Sequence, residues 1–382
     1  MKTKFFLIAC CCILFFSCQR SNRFIGSSEV TQDSTLIDVA NIKERIIHVG
    51  EKINNRPLAS QVVNIKGKDK YVLADLDNLY IFDWESGELE DSVSTKACGP
   101  INNFSGFNFI SKDNIIVFGN REKKIFCIDQ DGNVKKEWTI PAKSNDETWV
   151  SQPIGLNVTR PQLSKDNIFV FGSAFGPLSK ISDDQVLFAE YVNTENGEWT
   201  SAAAYPNIYH EYCWGANYLN SVSVAKDMKK DCFVVSFPIT EQILRYNKDF
   251  SQCDTLYMRS RYDEGIEPCD INVEDLFKYP EKEIEFYVGQ SSYSDILYDP
   301  YRKLYIRMAR HKLIGWEPGQ VFVKPFSFIV ADTEGNLLSE SSIIQPEDLY
   351  TPNMHVCKEG IAIAKLNSDE DNIYFNVYPI NK

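Results

Sequence analysis

Asp113-Asn114-Ile115-Ile116-Val117-Phe118-Gly119 returns almost unchanged as Asp166-Asn167-Ile168-Phe169-Val170-Phe171-Gly172. In each copy a short turn leads into a run of β-branched and aromatic residues that ends at glycine, which is typical of a buried β-strand. Four similar runs lie at 71–74, 232–237, 303–308 and 360–364. Six such strands, separated by about 40 to 70 residues, predict six copies of one β-rich unit.

A second repeated pattern predicts how each unit continues. An Asp or Asn, a few turn residues and a glycine follow a strand at 83–87, 129–132, 193–197 and 332–335. The Asp or Asn side chain can cap such a turn, and glycine adopts the positive φ that the turn requires. Each copy therefore predicts a β-hairpin.

These repeats predict an all-β fold, a β-propeller of six four-stranded blades, with seven blades as the alternative. A β-sandwich would not explain why the unit repeats. Strands within 35–49 are predicted to complete the last blade and close the ring. Helical structure is expected only at 272–277 and 346–350.

The N-terminus predicts export and a lipid anchor. A basic start is followed by an apolar run at 5–16, too short for the roughly 20 residues of a transmembrane helix, and then by Cys18. We predict a signal peptide at 1–17, a lipidated flexible tether at 18–35 and one propeller domain at 36–382. Two alternatives are cleavage before Cys10, which leaves too short an apolar core, and a plain signal peptide without lipid.

Charge and cysteine content narrow the possible partners. The formal net charge is −13, and loss of Lys2 and Lys4 with the leader makes it −15, so nucleic acid is not an expected partner. Seven cysteines follow Cys18, and they form no Cys-x-x-Cys pair. We predict that most of them are buried thiols outside any disulfide.

The sequence Ser294-Asp295-Ile296-Leu297-Tyr298-Asp299-Pro300-Tyr301-Arg302-Lys303-Leu304-Tyr305-Ile306-Arg307 resembles a family of Bacteroidota lipoproteins. These are six-bladed propellers catalogued as a domain of unknown function. The resemblance implies a protein of the cell envelope and supplies no catalytic residues. Surface lipoproteins of that phylum carry acidic residues after the lipidated cysteine. Gln19-Arg20-Ser21-Asn22 departs from this pattern, which favours the outer membrane facing the periplasm over the cell surface.

Aromatic residues in predicted loops are the candidate ligand contacts, because exposed Trp and Tyr stack on sugars and anchor protein partners. Arg160 is a further candidate in the same part of the chain. The competing interpretation is that these side chains fill gaps between blades. The candidate aromatic residues are Trp149, Trp199, Tyr209, Trp214 and Trp316.

No metal or cofactor site is predicted. None of the four histidines is spaced as a metal ligand, and no phosphate-binding loop, dinucleotide motif or nucleophile motif occurs. We therefore expect a lipid-anchored binding module for a glycan, peptide or protein partner. The alternative is an envelope hydrolase or lyase. Two or more carboxylates converging with Arg or His on the propeller channel would favour this enzyme.

Overall fold

The computed structural model describes residues 23–25, 36–57, 59–100, 105–119, 123–141, 152–174, 176–180, 186–263 and 265–381. Two strands, β1 (Arg23–Ile25) and β2 (Lys43–His48), precede the first complete sheet. From there the chain forms six antiparallel sheets in succession, each containing four or five strands in all. The prediction of an all-β propeller with six blades is confirmed.

Each of the first three blades is built from consecutive strands. Blade 1 contains β3 (Ala59–Ile65), β4 (Lys68–Asp75), β5 (Asn78–Asp83) and β6 (Leu89–Ser94). Blade 2 contains β7 (Gly106–Ser111), β8 (Asn114–Gly119), β9 (Lys124–Ile128) and β10 (Val134–Thr139). Blade 3 contains β11 (Gln152–Pro153), β12 (Gln162–Ser164), β13 (Asn167–Ser173), β14 (Leu187–Asn193) and β15 (Trp199–Ala204).

Blades 4, 5 and 6 follow, and blades 4 and 6 each add one strand from the N-terminal part of the chain. Blade 4 contains β16 (Ser223–Asp227), β17 (Cys232–Ser236), β18 (Gln242–Asn247) and β19 (Cys253–Tyr257). Blade 5 contains β20 (Ser292–Asp299), β21 (Leu304–Arg310), β22 (Phe326–Asp332) and β23 (Leu337–Glu340). Blade 6 contains β24 (Leu349–Cys357), β25 (Gly360–Lys365) and β26 (Asn372–Pro379).

The N-terminal strand β2 closes the ring. It pairs antiparallel with β26, from Lys43 opposite Val377 to His48 opposite Asn372, and so becomes the outermost strand of blade 6. This confirms the expected ring closure. The short strand β1 pairs in parallel with β19 at the edge of blade 4. The rest of 1–35, including Cys18, lies outside the described residues, so the signal peptide, lipid and tether stay predictions.

The hydrophobic core is divided among the blade interfaces. In the described part of the chain, six apolar clusters each join two neighbouring blades. In β4, Tyr71 and Leu73 pack towards blade 6, whereas Val72 and Ala74 pack towards blade 2. The second strand of each blade is thus covered on both faces, which explains why its sequence is a continuous apolar run and does not alternate.

The predicted hairpins also form. Asp83 Oδ1 accepts hydrogen bonds from the backbone N–H groups of Glu85 (3.1 Å) and Ser86 (2.9 Å), and Gly87 has φ +76°. The Asn193 side chain caps its turn in the same way. All four turns lie between the third and fourth strands of their blades, which explains why one sequence pattern recurs there.

Part of the motif at 294–307 forms a joint between blades. The buried Asp299 carboxylate accepts hydrogen bonds from the Tyr301 and Arg302 N–H groups and from the Arg302 guanidinium. Arg302 also donates to the Lys358 carbonyl of blade 6 at 2.8 Å, and Tyr301 reaches Asp69 of blade 1. This part of the motif is therefore architectural.

In the described part of the chain, three α-helices lie in the segments between blades: α1 (Ile208–Glu211), α2 (Val273–Lys278) and α3 (Pro280–Val288). The Asn272 side chain caps α2 by accepting from Glu274 N–H, which agrees with the expectation at 272–277. At 346–350 the structure forms a single turn, in which Leu349 N–H donates to the Pro346 carbonyl at 3.0 Å, and no helix follows because β24 begins at Leu349. Within the described residues, no helix has the length and apolar character needed to span a membrane.

The seven cysteines after Cys18 are all reduced thiols, and five of them are buried. Cys213 and Cys127 are the two that are partly exposed. The prediction of mostly buried thiols outside disulfides agrees with the structure.

Candidate functional site

The innermost strand of blade 3 is interrupted by a segment that crosses the central channel. β11 pairs with one end of β13 and β12 with the other, and residues 154–161 leave the sheet between them. We call this segment the plug. Asn157 accepts from Ser60 N–H of blade 1 (2.8 Å) and donates to the Pro352 carbonyl of blade 6 (2.8 Å). The plug therefore links blades on the far side of the ring.

The plug is held by backbone contacts with the blades on either side. Val224 N–H of blade 4 donates to the Val158 carbonyl at 2.8 Å. Towards blade 2, Gly155 lies so close to Gly106 that a Cβ atom on Gly155 would be 2.5 Å from Gly106 N. Ser60, Gly106 and Val224 all lie where the innermost strands begin, so the plug closes that end of the channel.

A pocket of about 550 Å³ extends from the plug to the turns that follow the innermost strands. All six blades contribute to its wall. Its size lies within the range of small-molecule sites in proteins, roughly 300 to 1,000 Å³. The channel is thus a pocket lined by strands and closed by the plug.

A hydrogen-bonded polar cluster lies beside the plug. His355 Nε2 is 2.8 Å from Asn353 Oδ1 and 2.9 Å from Ser60 Oγ, and the Tyr71 hydroxyl also contacts Asn353. Because Asn353 Oδ1 can only accept, we place a proton on His355 Nε2. Burial and the nearby positive charge of Arg160 hold the pKa of His355 well below its usual value, so the ring is neutral.

Three amide side chains form a chain along the pocket wall. Gln61 Nε2 donates to Asn108 Oδ1 (3.2 Å), and Asn108 Nδ2 donates to Gln162 Oε1 (3.0 Å). Asn108 Nδ2 also donates to the Pro161 carbonyl in the plug. This arrangement fixes the Gln162 amide with its oxygen towards Asn108. Its Nε2 has no hydrogen-bond partner among the described residues and remains available to the pocket.

Arg160 is the cation at the closed end of the pocket. Its Nε donates to the Asn157 carbonyl at 3.0 Å, which ties the guanidinium to the plug. Within the described chain, no side chain or carbonyl bonds its two terminal nitrogens, and no carboxylate compensates its charge. Desolvation lowers the pKa of Arg160 to about 10, so it still carries its charge at neutral pH.

The described pocket lining is positively charged although the protein as a whole is acidic. Arg160, Lys165 and Lys226 supply three cations, and Asp231 supplies one carboxylate, which gives a net charge of +2 with His355 neutral. The Asp231 carboxylate lies 3.1 Å from Lys226 Nζ, so these two neutralise each other. Arg160 and Lys165 therefore make the electrostatic potential of the pocket positive, although the chain has a net charge of −13.

Exposed lysines surround the open end of the channel. Each turn between the first and second strands of a blade carries at least one, and we call one from each blade the lysine ring. Its members are Lys66, Lys112, Lys165, Lys229, Lys303 and Lys358. The ammonium group of Lys303 lowers the pKa of Lys229 beside it, and Lys165 lowers that of Lys248 in the same way. The same turns carry eight cations in all and four carboxylates, so their net charge is +4; the carboxylates are Asp113, Asp166, Asp231 and Glu359.

The structure separates the candidate residues that the sequence placed together. Arg160 lies in the channel. Tyr209 (0% exposed) and Trp214 (4%) are buried in the cluster between blades 3 and 4, where their polar atoms donate to backbone carbonyls. Trp199 packs on the cluster between blades 2 and 3. Trp149 lies outside the described residues.

Trp316 belongs to an aromatic surface in the long loop of blade 5. Its ring meets Phe322 edge-on, and Phe322 meets the stacked pair formed by Tyr218 and Tyr287. The adjacent Ile314 is 90% exposed. This surface joins the loop within blade 5 to the segments before blades 4 and 5 that carry Tyr218 and Tyr287, and it lies apart from the channel lining.

The residues that sequence reasoning missed are the channel amides Gln61, Asn108 and Gln162. Each lies in the innermost strand of its blade. The sequence does indicate them. A polar residue such as Asn108, within the otherwise strand-like run 106–110, must form hydrogen bonds with other buried groups or face a cavity.

Fold and channel together define a six-bladed β-propeller with a polar, positively charged central pocket. By sequence, the chain belongs to the family described as a domain of unknown function, DUF4221, which matches residues 39–342. No curated protein matches this sequence.

Two solved structures show the same fold. A DUF4221 family member from Bacteroides vulgatus has a TM-score of 0.71 and 18% identity, with 88% of this chain and 96% of that chain covered. A protein from Bacteroides fragilis, named as a proposed exported protein, has a TM-score of 0.51 and 8% identity, with 94% and 99% covered. At such identities the similarity shows the fold alone.

Proposed function

We propose that this protein is a binding propeller whose ligand site is the central pocket. The observation that carries the proposal is the plug, which turns a channel of about 550 Å³ into a pocket lined by all six blades. Such a pocket can surround a small molecule or the end of a larger one, such as a glycan chain or a peptide terminus.

Binding is favoured over hydrolysis or elimination by the side chains at hand. Most enzymes that hydrolyse a glycosidic bond use a pair of carboxyl groups. Asp231 is the one carboxylate in the described pocket lining, and it is paired with Lys226. His355 has its Nε2 proton committed to the Ser60 and Asn353 cluster. These groups can orient a ligand and supply no general acid or base pair.

Ligand retention tests the pocket. The purified protein is mixed with a small-molecule extract of the native cell envelope, separated by gel filtration and analysed by mass spectrometry. Ile110 lines the pocket with 40% exposure, and we expect Ile110→Trp to fill the space and abolish retention. Ile343, which is 39% exposed and lies outside the pocket lining, provides the control Ile343→Trp. Equal retention by both variants, or none by the wild type, would contradict the proposal.

We further propose that Cys18 carries lipid and anchors the propeller to the outer membrane on its periplasmic side. Lipidation is supported by the apolar leader at 5–16 and the cysteine that follows it. The periplasmic side is supported by the absence of acidic residues at 19–22. The similarly folded protein from Bacteroides fragilis is consistent with an envelope location. A clickable fatty acid should label the wild type and Cys10→Ala but not Cys18→Ala. Loss of labelling in Cys10→Ala would instead indicate that cleavage and lipidation occur at Cys10.

A further inference from the structure

We propose that the pocket recognises an oxyanion group, a carboxylate or phosphate, through the Arg160 guanidinium and the Gln162 amide. This inference rests on the proposed function and specifies the chemistry of the ligand. The group would lie at the closed end, beside the plug, with the rest of the ligand extending towards the lysine ring.

The first argument is the state of Arg160. A guanidinium offers five N–H donors, and among the residues that the structure describes only the Nε donor of Arg160 is used, by the Asn157 carbonyl. A desolvated cation without a counter-charge is unfavourable, and proteins normally pair it. The two terminal nitrogens form the planar fork that binds carboxylate or phosphate with two parallel hydrogen bonds.

The second argument is the fixed orientation of Gln162. Asn108 donates to its Oε1, which leaves the Gln162 Nε2 donor for the pocket. Arg160 and Gln162 line the same pocket, two residues apart in sequence, so the amide donor can add a further hydrogen bond to an anion held by the guanidinium. The plug positions both groups, because Asn108 also holds the Pro161 carbonyl next to Gln162.

The third argument is the electrostatic field. Lys165 lies at the mouth and Arg160 at the closed end, and both line the same pocket. A positively charged channel within a protein of net charge −13 concentrates anions locally and accelerates their entry. The lysine ring extends this field around the opening. A neutral ligand would gain no long-range attraction from this field.

His355 provides a readout that does not depend on any activity. The charge of Arg160 is one of the two causes that depress its pKa. An anion bound to Arg160 offsets that charge, so the pKa of His355 should rise. The chain contains four histidines, which makes the labelled imidazole signals assignable by substitution.

The experiment is an NMR titration of the histidine-labelled protein with inorganic phosphate, with succinate and with uncharged N-acetylglucosamine. Saturable shifts of the His355 signals with either anion, and none with the sugar, are expected. A response to phosphate alone or to succinate alone tells a phosphoryl ligand from a carboxylate ligand. The absence of a saturable response to both anions overturns the inference, and this measurement needs only the wild type.

Two variants assign the response to the proposed residues. Arg160→Gln should abolish anion binding, and Gln162→Ala should weaken it about tenfold, the effect of one charge-assisted hydrogen bond. The control is Arg259→Gln, at an exposed arginine that lies against Glu241 outside the pocket lining. Unchanged affinity in both pocket variants overturns the inference. A neutral compound recovered from the envelope extract would overturn it too, yet leave the pocket as the binding site.

Discussion

The Tyr301 hydroxyl of blade 5 donates a 2.5 Å hydrogen bond to Asp69 Oδ1 of blade 1. Blade 6 lies between these two blades in the ring. Asp69 also accepts from Lys358 N–H of blade 6 at 2.8 Å, so one carboxylate joins three consecutive blades. Blade 6 contains the closure of the ring by β2 and β26. The Tyr301–Asp69 contact therefore joins the two blades that flank blade 6, in which the N-terminal and C-terminal strands meet.

Replacing Tyr301 by Phe should lower the free energy of unfolding by about 1–3 kcal/mol. The substitution removes one donor from the buried Asp69 carboxylate and leaves Asn64 and the Lys358 N–H in place. Urea denaturation measures the loss. Tyr374→Phe is the matched control, because the Tyr374 hydroxyl also donates to a carboxylate, that of Asp369, outside any blade joint. Equal losses in the two variants would remove the special role of Tyr301.

Replacing Gly155 by Ala should displace the plug. The new Cβ would lie 2.5 Å from Gly106 N and 2.9 Å from the Phe118 ring, and backbone on one side cannot move away cheaply. We expect a loss of about 3 kcal/mol in chemical denaturation. Gly67→Ala is the control: its φ is +84° with no atom within 4 Å, so only the backbone conformation penalises it, by about 1 kcal/mol. A smaller loss at Gly155 than at Gly67 would mean that the plug is loosely held.

Cys213 and Cys269 should form a disulfide in an oxidising compartment. Cys269 N–H donates to the Cys213 carbonyl at 2.8 Å, and the two thiols interact closely enough to raise the pKa of Cys269. With oxidised glutathione, the two thiols lose two protons and two electrons and one glutathione disulfide becomes two thiols. The bond closes a long loop, so we expect a stabilisation of about 4 kcal/mol.

Non-reducing peptide mapping identifies the linkage. Cys213→Ser should prevent it, while Cys127→Ser, at a partly exposed thiol of blade 2, should leave it intact. Glutathione adducts on both Cys213 and Cys269, without a bond between them, would show that their side chains cannot meet.

Lys324 should make stability depend on pH. Its buried ammonium group donates to the carbonyls of Tyr287, in the last turn of α3, and of Gln290, just after this helix, and burial lowers its pKa from 10.5 to about 7. Between those two values the unfolded chain binds the proton more tightly than the folded one. The contribution of Lys324 to the free energy of unfolding therefore rises from about pH 7 to about pH 10.5.

Urea denaturation at several pH values compares the wild type with Lys324→Met, which cannot titrate. The stability of the wild type relative to the variant should increase with pH over this interval. A constant difference would mean that water or rearrangement keeps the pKa of Lys324 near its ordinary value.

The repeated strands made the fold predictable from sequence, because the second strand of each blade is buried on both faces. The run 114–119 and its copy at 167–172 are apolar at successive positions, as burial on both faces requires. The six interblade clusters then follow from the same residues. The helix α3 was missed although Pro280 and Glu281 mark its start, because the surrounding segment resembles an irregular insertion.

The site was less predictable, because composition does not tell a displayed aromatic ring from a buried one. Tyr209 and Trp214 face the core. Burial is possible because the hydroxyl of Tyr209 and the indole N–H of Trp214 each donate a hydrogen bond to a nearby backbone carbonyl. The plug has no periodic pattern that would reveal it. Its position depends on the split pairing of β13 with β11 and β12, which is a property of the assembled ring.

The plug is a single detour within one strand of one blade. Gly155 is fixed by its close approach to Gly106 and Phe118 of blade 2, but side-chain changes at the other plug positions can alter the depth and polarity of the pocket without replacing any residue of the six clusters between blades. Ligand preference and folding stability are thereby encoded by largely different residues. A propeller built in this way can diversify what it binds without having to evolve a new scaffold.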